Sequence, residues 1–196
     1  VQRVTFSGSN NRNMPNNNTL KVCEDLNIQE TTNWVIPDGN NTTIVLGNIN
    51  KSDASTFDNG GGASRIILQG TAAQAIAGDF TGIDAMNELQ IDNSAGVTVV
   101  NAASTGISAD VDVEVADELI LTSGTITTDA DNDLYVSNVA SSAITSPANR
   151  SSYVNGPLKR ELETRNDAYP FPVGQGGRAG YMEMVDPAGI TGTGTY

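Results

Sequence analysis

The densest run of oxygen donors in the chain is Asp129-Ala130-Asp131-Asn132-Asp133. Carboxylates at alternate positions of a short loop are what Ca²⁺ takes, with backbone carbonyls and water completing its shell. The EF-hand pattern is incomplete here, because the central Gly and the distant bidentate Glu are missing. Asp129, Asp131 and Asp133 are therefore the candidate calcium ligands, and a plain polar turn is the competing reading. The nearest basic residues along the sequence are Arg65 and Arg150. Three carboxylates in so short a loop repel one another unless something neutralises them.

Catalytic constellations are sparse. The chain has no His, which excludes Ser-His-Asp arrangements and His-ligated metal sites. Its one cysteine, Cys23, supplies neither a disulfide framework nor a zinc or iron–sulfur ligand set. With no basic cluster to activate it, Cys23 is expected to pack as a small hydrophobe or remain an unreactive thiol. Gly174-Gln175-Gly176-Gly177 leads into Arg-Ala-Gly-Tyr rather than a helix, so it is no phosphate loop. Paired carboxylates are the remaining option: Asp112 with Glu114, or Asp117 with Glu118. Glycoside chemistry needs two carboxyls about 5–10 Å apart with divergent pKa values. These acids alternate with valines, as on an ordinary outward strand face, and no base stands beside them.

The charge balance narrows the partners. Ten basic residues against 23 acidic ones give a net charge of −13. Residues 66–149 contain no base at all and twelve acids, from Asp79 to Asp133. Such a surface repels nucleic-acid phosphates and anionic headgroups, and no apolar run is long enough for a membrane helix.

The elements that would carry these groups are strands. Val111-Asp112-Val113-Glu114-Val115 alternates strictly, and Leu89–Ile91, Val97–Val100, Leu119–Leu121, Ile126 and Leu134–Val136 are short apolar runs punctuated by Gly, Asn and Asp. Only Thr71–Ala77 has a helix-friendly composition, and it is too short to stand alone. The strand–Gly turn–strand pattern at Leu89–Val100 recurs at Leu119–Thr128, which is the repetition of a solenoid. The fold expected is all-β. A parallel β-helix spans residues 66–149, preceded by an Asn-rich β segment (1–65) and followed by a Pro- and aromatic-rich β cap or module (150–196). A β-sandwich is the alternative, with Asn59-Gly60 and Asn155-Gly156 as its hairpin candidates. Inside the coils the sequence places Ile91, Val97, Val99, Val113, Leu119, Leu121, Ile126 and Leu134.

Five blocks also carry a resemblance: Gly70–Gly78, Met86–Val99, Leu119–Thr128, Ser151–Arg160 and Tyr169–Gly174. In that order they resemble a repeat of large surface proteins of Bacteroidota, over roughly residues 66–177. The resemblance implies export through the type IX pathway and a place in an adhesin, gliding-associated filament or stalk-like structure. The resulting expectation is a secreted, non-catalytic, cell-surface structural or adhesive module. Its partners would be further copies, neighbouring modules of one polypeptide or surface glycans, with no resident cofactor beyond the candidate calcium. A carbohydrate-binding module and a polysaccharide-active β-helix enzyme are the alternatives. Val1 opens straight into strand-like sequence, so the chain is expected to be a processed product or a unit of something longer.

Overall fold

A computed structural model of the chain describes residues 2–60, 62–100, 113–163, 167–185 and 194–195. Short strands separated by tight corners wind into a parallel β-solenoid of about 7 turns, with 55% of residues in strands. The first turn is β1 (Val4–Phe6), β2 (Asn11–Asn13) and β3 (Thr19–Val22). The second is β4 (Leu26–Ile28), β5 (Asn33–Val35) and β6 (Thr42–Val45), and the third is β7 (Ile49–Lys51), β8 (Thr56–Asp58) and β9 (Arg65–Leu68). Then come β10 (Gln74–Ala77), β11 (Met86–Asp92), β12 (Val97–Val100), the long β13 (Val113–Thr127), β14 (Leu134–Val136), β15 (Ile144–Thr145), β16 (Ser152–Asn155) and β17 (Leu158–Leu162). A hairpin of β18 (Ala168–Gln175) and β19 (Arg178–Val185) follows, and β20 (Gly194–Thr195) pairs with β17.

Stacking is in register. Val4 lies over Leu26, Leu26 over Ile49 and Ile49 over Ile76 on one face, and Thr42, Arg65 and Glu88 form a row on a second. On the third face Asn33 sits between Asn11 and Thr56. Successive coils are commonly offset by 23 residues, the separation of the Asn27–Asn50 and Gln69–Asp92 side-chain bonds. Period-two alternation sends every second residue inward. All eight residues assigned to the interior from the sequence are buried there.

The coils start well before residue 66. The parallel ladders run through the Asn-rich segment from Val4 onward, and β9 pairs with β6 before it and β11 after it. The winding continues past the glycine run, with β8 before it and β9 after it both in the parallel ladders. Thr71–Ala77 forms no helix; Gln74–Ala77 is β10, because a strand there continues the ladder from β7 to β12. Neither hairpin candidate is a hairpin. Asn59-Gly60 is a corner, and the strands flanking Asn155-Gly156 pair with other coils. The antiparallel hairpin turns instead at Gly176-Gly177.

Two features explain why this sequence closes so tightly. Gly124 has φ +76°, and a Cβ there would strike the Asn93 carbonyl of the coil below. Only glycine fits that approach. The third face is filled by a ladder of rings: Phe6 stacks on Trp34 at 5.3 Å, Trp34 on Phe57 at 5.1 Å, and Phe57 meets Phe80 edge-on at 5.7 Å. Aromatic pairs at these distances add about 0.5–1.5 kcal/mol each beyond their burial.

Candidate functional site

Every catalytic carboxylate candidate that falls in the described residues is engaged across coils. Glu114 points outward between the buried Val113 and Val115 and accepts the Gly82 backbone N–H at 2.8 Å. Asp117 accepts the Asn138 amide at 3.0 Å, and Glu118 accepts the Thr145 hydroxyl at 2.6 Å. Asp112 lies outside the described residues. The same pattern holds elsewhere. Asp92 accepts from Gln69 on one side and Ser123 on the other, at 2.9 and 2.8 Å, and Glu88 holds Arg65 Nε at 2.5 Å. The acids act as staples between turns, each meeting a donor one coil away.

The Asp129–Asp133 loop is a closed turn. Asp129 Oδ1 accepts the Asp131 N–H at 3.0 Å and the Asn132 side-chain amide at 2.8 Å. The amide of Asn132, then the N–H of Asp131, hold the Asp129 carboxyl below its ordinary range. Asp133 forms an ion pair with Lys159, supplied by the next coil, so the base that the local sequence lacks arrives through stacking. Among the described residues no group of three His, Cys, Asp or Glu side chains is arranged to hold a metal ion. Turn bonds and Lys159 thus supply much of the neutralisation for which the sequence suggested calcium. The melting midpoint is expected to be the same in EDTA and in millimolar Ca²⁺, and to fall in Asp129→Ala at pH 7. A depressed folded-state pKa contributes stability that is present above the unfolded value and lost as pH falls through the folded one. The difference between the two proteins should therefore vanish on the acid limb. A midpoint that rises with calcium would make Asp129, Asp131 and Asp133 its ligands.

Cys23 is exposed as a free thiol, so it does not pack as a small hydrophobe. Val22 takes the inward position at the end of β3, so alternation turns Cys23 out at the corner.

One group escaped the sequence. Lys51 is buried on β7, and its Nζ meets Asp84 Oδ2 at 2.9 Å and faces the Phe80 ring at 6.0 Å. Asp84 also accepts the Phe57 N–H at 2.6 Å. Gly78 makes the room, since a Cβ there would meet the Lys51 Cβ at 2.8 Å. Beside this pair a polar cleft of about 450 Å³ is lined by Asn33, Thr56, Asp58 and Asp84, with the exposed Ile83 at its rim. Lys51 and Asp84 lie in different turns, 33 residues apart in sequence, and no local pattern marks their meeting. Asp84 thus takes two donors, one from β7 and one from β8.

No known protein family matches this chain. The same holds for the curated proteins and the solved structures with which it was compared.

The aromatics speak to the sugar-binding alternative. Phe6, Trp34, Phe57 and Phe80 form an internal column, and Tyr135 is half-buried with its hydroxyl on Glu161 at 2.6 Å. A carbohydrate platform needs ring faces turned outward in a row. Among the described residues Tyr181 is exposed, and Arg150 covers its ring at 5.1 Å. No described helix is long and apolar enough to cross a membrane.

Proposed function

We propose that the chain is a non-catalytic structural or adhesive module of a secreted cell-surface protein, one unit of a long adhesin or filament. The observation that carries this reading is the use made of the acids. Glu88, Asp92, Glu114, Asp117 and Glu118 each spend a carboxylate oxygen on a neighbouring coil. An enzyme built on such a scaffold would keep at least two carboxyls free, in different environments, facing one substrate. Here the acid-rich surface works as inter-coil fastening plus a solvated, mutually repelling exterior that favours solubility. The sequence resemblance to exported Bacteroidota repeats supports the surface location.

Two measurements test the reading. Incubation with a panel of neutral and anionic polysaccharides is expected to release no product. Release that is lost in Glu114→Gln or Glu118→Gln would make the chain an enzyme. Antibody against the purified chain is expected to label intact source cells. Signal confined to permeabilised cells would remove the surface role.

A further inference from the structure

Among the described residues two basic side chains are buried, Arg160 and Lys51. Arg160 lies between the rings of Tyr169 at 5.0 Å and Phe171 at 5.7 Å, both supplied by β18. Its Nη1 donates to the Pro170 carbonyl and its Nη2 to the Ala140 carbonyl, at 2.9 and 2.7 Å. Ring faces and carbonyls hold this guanidinium without offering it a group to react with. Lys51 is buried in a different way, against a carboxylate.

The Lys51 and Asp84 side chains are 3% and 15% exposed, and Nζ stands 2.9 Å from Oδ2. Cγ, the carbon that an amine would attack, is one bond beyond that oxygen. An amine held at such range has already lost the translational freedom that makes condensation slow between separate molecules. The other carboxylate oxygen, Oδ1, accepts the Phe57 N–H at 2.6 Å. That is where negative charge gathers as Cγ becomes tetrahedral, so the N–H sits as an oxyanion donor does.

The surroundings keep the pair in place and dry. Asp84 ends a short 3₁₀ turn, Gly82–Asp84, whose own N–H bonds the Thr81 carbonyl at 3.0 Å and whose Gly82 N–H bonds Glu114 at 2.8 Å. Phe57 and Phe80 are fully buried, and the Phe80 ring faces Nζ at 6.0 Å. Water, which would reverse a condensation, is thus largely excluded. A buried ion pair also carries a desolvation cost that its mutual attraction repays only in part, whereas an amide carries no charge.

We infer that Lys51 and Asp84 condense into an isopeptide bond, a covalent tie from β7 to the corner between β10 and β11. The ammonium passes one proton to Oδ2 across their hydrogen bond, and the free amine attacks Cγ. The Phe57 N–H holds Oδ1 while the C–N bond forms. A second proton follows from nitrogen to Oδ2, the Cγ–Oδ2 bond breaks, and water leaves through the cleft that Asp84 lines. One ammonium and one carboxylate become one amide and one water, with no change of net charge and no oxidant or other reactant. In a chain whose single cysteine can form no internal disulfide, this bond is the covalent cross-link between turns.

Mass spectrometry of the intact, folded chain tests it. The expected mass is about 18 Da below that of the sequence, the loss of one water. Trypsin should leave residues 22–65 uncut at Lys51 and joined to residues 66–150. Lys51→Met and Asp84→Ala should each restore the full sequence mass, a readout that does not depend on how stably either variant folds. Full mass in the unmodified chain, with trypsin cutting at Lys51, would overturn the bond. So would a water loss that persists in Lys51→Met, or one that maps to a cyclic imide at Asp38-Gly39 with the two fragments unlinked. No outcome here bears on the polysaccharide or surface-labelling results, so the cross-link and the module reading stand or fall separately.

Discussion

Phe57→Ala is expected to destabilise the folded chain by about 3–5 kcal/mol, the range for truncating a buried aromatic. Phe57 is fully buried midway along the ring ladder, with Trp34 on one side and Phe80 on the other. Its removal opens a void that neither ring can fill, because each is fixed by the register of its own strand. Phe57→Leu keeps most of the volume and is expected to cost no more than about 1.5 kcal/mol. Urea unfolding followed by circular dichroism gives both values. Each coil touches only its neighbours, so the loss should be local in the native state. Amides of the second and third turns should lose exchange protection first, while those of β14 and β17 keep theirs. Equal costs for the two substitutions would mean that the column is not continuous.

Arg160→Ala is expected to have a comparable effect at the other end. It leaves the Ala140 and Pro170 carbonyls without their donor, at about 1–3 kcal/mol for each buried group left unsatisfied. It also empties the space between Tyr169 and Phe171. The expected result is a hairpin, β18–β19, that exchanges its amides while the coils beneath remain protected. Arg160→Met fills the space and removes a desolvated charge, so it should cost clearly less than alanine. Burial pushes the Arg160 guanidinium down to about 10, which leaves it charged at neutral pH. For a base with a lowered folded-state pKa, the folded state bears the cost of charge below that value. The cost is relieved as pH rises through it. The stability difference between wild type and Arg160→Met should therefore shift toward wild type above about pH 10. If alanine and methionine prove equally mild and the hairpin stays protected in both, Arg160 is not what holds the cap.

The Gly124 corner and the Lys51–Asp84 pair illustrate how the solenoid builds its sites. In each case a group on one turn is completed by the turn before or after it. Asp133 finds Lys159, Glu118 finds Thr145 and Asp92 finds Ser123, none of them neighbours in sequence. In the Asp129–Asp133 loop the same stacking brings a base, Lys159, that the local sequence lacks.

What the sequence determined by itself was the fold class and the interior of the central coils. Both follow from local alternation: a period of two sends Val113, Val115, Leu119 and Leu121 to one side whatever they stack upon. Missing His and scarce Cys likewise bounded the chemistry without any structure. The tertiary structure alone decided where the coils begin, which strands pair, and which side chains meet. A coil step of about 23 residues is invisible where its ladder mixes Phe, Trp and Arg, or Lys and Ile, because stacking demands compatible shape rather than identity. Thus Gln74–Ala77 became a strand against its composition, Cys23 turned outward at a corner, and Arg160 took up an inward position beneath the β18–β19 hairpin. Each outcome is set by the adjacent turn, whose position the local sequence does not contain.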